Sequence, residues 1–149
     1  MCFDRYKAQL IIDEGKSLTV YHDSEGYLTV GIGHLVLPGD KLEDGQTITE
    51  DQCDEFFRED ICHAIDGVHE LIPAGVFIPA DVIDVLVNMC FNLGKTGLGE
   101  FHHFLLAIVA HNWPRAAFEM KNSLWFKQVG ARAQRLYDII RNQPHNENA

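Results

Sequence analysis

The 149-residue sequence is poor in basic residues, in closely spaced cysteines and in long apolar runs. Each shortage excludes a class of protein. Twelve Lys and Arg stand against 22 Asp and Glu, a net charge of −10. Nucleic acids and anionic membranes are held by basic faces, so neither is an expected partner. The imbalance is uneven: residues 1–70 carry 16 acids and five bases, net −11, whereas residues 71–149 carry six acids and seven bases, net +1. Cys2, Cys53, Cys62 and Cys90 include no CxxC pair, which argues against a zinc or redox centre and for free thiols in a reducing cytoplasm. No apolar run reaches 18 residues, and MCFDRYKAQLIIDEG lacks the basic-then-apolar order of a signal peptide. Export, on this reading, uses another route.

What is present suits one folded domain. The 46% hydrophobic and 23% charged fractions are near the averages for globular chains, and the length fits a single core. Asp4 is placed to cap a short helix with Tyr6, Leu10 and Ile11 on one face, and Gly15 to stop it, which leaves Glu14 at a helix end. Period-two alternation follows from Leu18 to Leu35: LTVY, a turn at His22 to Gly26, then YLTVGIGHL, a hairpin with room for a third short strand. Pro38 to Gln46 has loop composition.

Thr49 and Gln52 form a capping-box pattern, and Cys53, Phe56, Phe57, Ile61, Ala64, Ile65 and Val68 continue at helical spacing. This predicts a long helix over 49–70. Ile78 to Leu93 is apolar nearly all round, as in the middle of a bundle. Helices are expected near 101–110, from about Pro114, and over 131–141, with Ser123-Leu124-Trp125 between, and a polar tail frays after them. The organisation is a sheet-bearing lobe over 1–48, the linking helix, and a helical lobe over 71–149.

The stretch IDEGKSLTVYHDSEGYLTVGIGHL carries the chemistry. It sets a carboxylate at a helix end (Glu14), a second in a hairpin turn (Asp23) and a hydroxyl on the next strand (Thr29). Glycoside cleavage needs one carboxylic acid to protonate the leaving oxygen and a second group to manage the cation or the water. Spacing alone fits solvated surface acids as well.

IDEG followed by YHDSEGYLTVGIGHL resembles the opening of the T-even phage lysozymes, the endolysin muramidases of glycoside hydrolase family 24. EDQCDEFFREDI, NMCFNLGKTGLGEF and NSLWFKQVGARAQRL resemble later blocks of that family, so the likeness runs from about Phe3 to Arg141. It implies an α+β lysozyme-like fold: a small N-terminal lobe with a short antiparallel sheet, a long linking helix and a helical C-terminal lobe, with a cleft between lobes. It implies hydrolysis of the β-1,4 bond between N-acetylmuramic acid and N-acetylglucosamine in bacterial peptidoglycan. Glu14 would be the general acid, Asp23 the carboxylate supporting water and cation, and Thr29 the hydroxyl that places the water. Inversion would follow, with carboxylates about 6.5–9.5 Å apart.

The same resemblance implies Gly31, Gly33, Leu35, Phe91 and Asn92 as sugar contacts, with plain core an equal reading of Phe91. It implies Arg132 beside the catalytic glutamate, an Asp13–Arg135 pair, and a structural His34–Asp60 ion pair. No cofactor or metal is expected, and the chain is read as a monomer reaching the wall after release by a holin or another delivery route. Departures from the family are its acidity, a shorter loop after His34, Leu124 in place of an arginine that would pair with Glu25, and Glu119 in place of a cleft asparagine. They keep open an antibacterial effector, a virion-associated lysozyme, a chitin-like substrate, or a lysozyme scaffold retained for binding.

His102-His103 read as surface or cleft-edge residues, since neighbours on a helix point about 100° apart. His63, His69 and Cys62 lack a four-ligand set. Trp113 and Trp125 read as core, and GKTG at 94–97 as a turn between helices rather than a phosphate loop.

Overall fold

The structure is a computed structural model that describes residues 2–144, the side chain of Cys2 excepted. The end of the polar tail, 145–149, lies outside the described residues. Its elements run α1 (Cys2–Glu14), β1 (Ser17–His22), β2 (Leu28–Gly31), β3 (His34–Leu35), a 3-10 turn (Pro38–Asp40), α2 (Glu50–Leu71), α3 (Ala80–Gly99), α4 (His102–Val109), α5 (Trp113–Lys121), α6 (Leu124–Val129) and α7 (Ala131–Arg141). This is an α+β architecture, as the resemblance implies. The chain divides into compact units at His63/Ala64, inside α2.

In the first unit α1 starts earlier than its sequence suggests. Asp4 lies inside its first turn rather than capping it, where its charge still meets the positive end of the helix dipole. The Gly15 N–H closes on the Ile11 carbonyl at 2.8 Å, so α1 ends at Glu14 as expected. The sheet is antiparallel in the order β1-β2-β3, with Tyr21 opposite Thr29 and Val30 opposite His34. The YLTVGIGHL stretch is therefore two strands, folded back at Gly31-Ile32-Gly33. A bridge from Thr19 to Thr47 adds the end of the loop to the free edge of β1. Val20, Val30, Ile32, Ile48, Phe57 and Ile61 are buried.

The capping box forms as read: the Thr49 N–H donates to Gln52 Oε1 at 2.8 Å, and the Gln52 N–H donates to Thr49 Oγ1 at 3.1 Å. Two ion pairs bring the start of α2 to the elements before it, Lys7–Asp54 at 2.9 Å and Lys16–Glu50 at 2.7 Å. The Lys7 ammonium lowers the Asp54 pKa through its hydrogen bond. Both pairs are partly exposed, so water screens them and their contribution to stability is small.

The second unit is helical. Its core includes Leu86, Met89, Leu98, Phe104, Ile108, Met120 and Ile140. Pro79 holds α3 back to Ala80, two residues later than its apolar run suggests. Gly94 breaks α3 with φ 76° and ψ 164°, and the chain resumes helix to Gly99. The GKTG segment is thus a break followed by a turn of helix. Asn112 and Ser123 cap α5 and α6 through their side chains. Trp113 and Trp125 are buried, as read from sequence. Cys53 and Cys90 are buried free thiols, and burial raises both pKa values, whereas Cys62 is exposed. No helix of the described residues is long and apolar enough to cross a membrane.

Candidate active site

Glu14 stands at the carboxyl end of α1, where a helix disfavours an anion and where the last turn holds no basic residue. Its seat is the turn after β2. Gly33 has φ +63°, and a Cβ built there would lie 2.8 Å from Glu14 Cβ and 2.9 Å from Oε2. Only glycine lets this backbone pass so close to the carboxylate.

Asp23 and Thr29 are tied together through one peptide unit. The N–H groups of Glu25 and Tyr27 both donate to Asp23 Oδ1 at 2.9 Å. The Tyr27 carbonyl accepts the Asp23 N–H at 2.9 Å and the Thr29 hydroxyl at 3.0 Å. Two donors on one oxygen orient the carboxylate and leave Oδ2 available to water or a sugar hydroxyl. Thr29 gives its proton to Tyr27, so its oxygen faces any incoming water as an acceptor. By strand alternation Thr29 lies on the face opposite the core residue Val30, yet it is 93% covered. All three candidate catalytic residues thus belong to the first unit, Asp23 in the β1–β2 turn, Thr29 on β2, and Glu14 at the helix end against the β2–β3 turn.

His34 is gripped more fully than expected. Its Nδ1 meets Asp60 Oδ2 at 2.7 Å, its Nε2 meets Asp40 Oδ2 at 2.9 Å, and Phe56 stacks on the ring at 4.1 Å between centroids. Two ionised carboxylates are both satisfied only when both ring nitrogens donate, so the geometry favours the imidazolium. Burial lowers its pKa, but the hydrogen bonds to Asp60 and Asp40 outweigh burial, and the net shift is upward. Asp40 also accepts the Leu37 N–H at 2.9 Å. Burial raises the Asp40 pKa, and the Leu37 and His34 bonds lower it further than burial raises it.

Of the other sequence-derived candidates, Leu35 is half exposed on β3, and Asp13 accepts a 3.2 Å bond from Gln9 Nε2. In the second unit Arg132 is buried on α7, donating from Nε to Asn88 Oδ1 at 2.7 Å and from a terminal nitrogen to the Asn88 carbonyl at 3.2 Å. Arg135 lies a turn further along the same helix. Asn92 accepts the Trp125 Nε1–H at 2.8 Å, so its carbonyl oxygen holds the core tryptophan. Phe91 is half-buried. A groove of about 400 Å³ in this unit is lined by Glu100, His102, His103, Glu119, Leu124 and Trp125 among others. The two histidines are therefore groove residues. Glu119 is paired there with Arg115 at 2.7 Å. No group of three or more metal-ligating side chains occurs among the described residues.

Sequence reading missed Asn88, Asp40 and the Tyr27 peptide. Asn88 had a signal: it is the one polar residue in VLVNMCF, and a polar group in an all-apolar helix must find a partner. Asp40 had none beyond turn composition. The Tyr27 links join its backbone N–H and carbonyl to the Asp23 and Thr29 side chains, and the identity of residue 27 does not announce them.

A small antiparallel sheet, a long helix and a helical unit, with carboxylates held at a helix end and in a hairpin turn, are the features that the sequence resemblance implies for a glycoside hydrolase of the lysozyme class. Residues 12–142 match the family described as Phage lysozyme, and the chain belongs to that family. It is 30% identical to a probable T4-type lysozyme of Dictyostelium discoideum, over 90% of this chain and 92% of that one. It is also 30% identical to the pre-baseplate central spike protein of Enterobacteria phage T4, over 86% of this chain and 26% of the spike protein. Against a peptidoglycan hydrolase of Pseudomonas phage phiKMV it is 34% identical, over 84% of this chain and 14% of that protein. The chain thus spans only a minor part of these two phage proteins.

Proposed function

We propose that the protein hydrolyses the β-1,4 bond between N-acetylmuramic acid and N-acetylglucosamine in peptidoglycan, with inversion, and so lyses bacterial walls. The observation that carries this reading is Glu14 at the end of α1 against the Gly33 backbone, a carboxylate kept where a helix terminus disfavours it and where only glycine leaves room. Such placements are retained for function at a cost in stability.

Glu14 acts as general acid on the leaving oxygen. Asp23, held at Oδ1, presents Oδ2 to the attacking water and to the cation that develops at the anomeric carbon. Thr29 orients that water by accepting a hydrogen bond from it. Gly33, Leu35, Phe91 and Asn92 contact the glycan, and Arg132, Asp13 and Arg135 have supporting roles. No cofactor takes part, and the protein works as a monomer. The net charge of −10 opposes approach to anionic wall polymers at low salt, so delivery rather than electrostatic search brings it to the wall.

The likeness to a phage spike protein favours a second biological setting for the same chemistry, wall penetration as part of a virion. Recovery of the chain from purified particles distinguishes that setting from lysis by the free enzyme.

Glu14→Gln tests the mechanism. The variant keeps the side-chain shape and removes the proton donor, so turnover of purified peptidoglycan falls by about 10²–10⁴-fold. Its thermal unfolding temperature stays equal or rises, because an ill-placed charge is gone. Wild-type turnover in this variant removes Glu14 from the mechanism.

A further inference from the structure

We propose that Asp40 is a positioning residue for the glutamate site, which with Asp60 grips the His34 ring from two sides and so fixes the turn on which Glu14 rests. The inference rests on the reading of Glu14 as general acid. Its chain of contacts is short. Asp40 Oδ2 accepts from both His34 Nε2 and the Leu37 N–H, which staples the 3-10 turn to the start of β3. His34 follows Gly33 directly, and Gly33 is the residue whose missing Cβ makes room for the Glu14 carboxylate. Asp60 anchors the opposite side of the ring to α2, and Phe56 of α2 covers its face.

The three elements around the ring thus supply Asp40 from the 3-10 turn, Asp60 and Phe56 from α2, and the β3 backbone that carries it. Glu14 of α1 is the further titratable group, adjoining through Gly33. The device works only while the ring donates from both nitrogens. A neutral imidazole keeps one N–H and turns a lone pair toward one of the two carboxylates, which it then repels. Asp40 belongs to the three-residue turn and Asp60 to a helix of 22 residues, so Asp40 is the partner that lets go. Loss of that contact frees the 3-10 turn and the end of β3 before it, and the seat of Glu14 loosens.

Asp40→Asn tests this with little change of shape. The amide oxygen still accepts both bonds, but the charge is gone, and the His34 pKa drops by about one unit. Ring protons of His34, the Gly33 amide and the Glu14 side-chain carboxyl are followed by NMR against pH in the wild type and in the variant. Alongside, kcat/KM on peptidoglycan is measured over the same range, at a temperature well below unfolding.

The expected result is that the Gly33 and Glu14 signals inflect with His34 in the wild type. In the variant those inflections and the alkaline limb of kcat/KM move down together by about one unit. Signals at Gly33 and Glu14 that ignore the His34 titration overturn the proposal. So does an alkaline limb that stays in place while the His34 pKa moves, since a purely structural contact lowers the unfolding temperature and leaves the profile where it was. Should Asp40→Asn fold poorly, Asp60→Asn lowers the His34 pKa from the other side and must move the same signals. If the wild type fails to cleave glycan, the glycosidase reading falls while the NMR comparison still decides the coupling.

Discussion

The two units hold their polar groups by different means. In the first, backbone and turn chemistry do most of the holding: two N–H groups on Asp23 Oδ1, a carbonyl for Thr29, a capping box at Thr49 and Gln52. In the second, buried polar side chains join helices across an apolar bundle, Arg132 to Asn88 and Gln143 to Asp81, each at 2.7 Å, with the Asn88 and Ile139 carbonyls as further acceptors. The charge follows the same division. Residues 1–63 carry 14 acids and five bases, net −9, whereas residues 64–149 carry eight acids and seven bases, net −1. A unit built on a small sheet exposes most of its surface and displays carboxylates at low cost, whereas a bundle must pair each polar group it buries.

Asn88→Ala strikes the second mode and has the largest expected effect on stability. It strips a buried guanidinium of its acceptor at Nε, and the loss is about 1.5–3 kcal/mol by denaturant unfolding, since bonds to charged groups contribute that much. A change below about 0.5 kcal/mol would mean that Asn88 is not a main support of Arg132.

Gly33→Ala strikes the first mode. The positive φ costs about 1–2 kcal/mol for any side chain, and the added methyl also meets Glu14. Gly45→Ala is the control, because Gly45 also has a positive φ, +82°, but open space around its missing Cβ. Gly33→Ala should be the less stable of the two by denaturant unfolding, and it alone should lose activity. Equal loss in both would reduce Gly33 to a turn residue.

His34→Asn has the smallest effect, and one that depends on pH. The folded pKa of His34 is raised above its ordinary 6.5, so its contribution is fully present below 6.5 and fades as pH rises through the folded value. Asp40 is shifted the other way, below 3.8, so its share is present above 3.8 and fades as pH falls through its lower folded value. Wild type and His34→Asn should therefore differ most in unfolding temperature between about pH 4 and pH 6.5, and converge in alkali. A difference that grows above neutral pH would contradict the imidazolium.

The same contrast explains what the sequence made legible. Local signals carry across directly: Gly15 stops α1, Thr49 and Gln52 cap α2, and the 3.6-residue stripe from Cys53 to Val68 sits on a helix. His34 and Asp60, 26 residues apart, meet as the resemblance implied. Asp4 misled because an acid near a helix start serves either as cap or as first-turn charge, and composition does not separate the two. Asp40 and the Tyr27 peptide were illegible for a different reason. Asp40 reaches His34 only because the 3-10 turn folds back on β3, and Tyr27 takes part through its main chain alone. Side-chain identity encodes neither.

The most direct measurement is the chemistry of the cut. Wild-type protein is incubated with peptidoglycan freed of teichoic acid, and the released muropeptides are identified by mass spectrometry. The account predicts products that end in reducing N-acetylmuramic acid. Products ending in reducing N-acetylglucosamine, cleavage within the stem peptide, or no release at all from folded protein would contradict it.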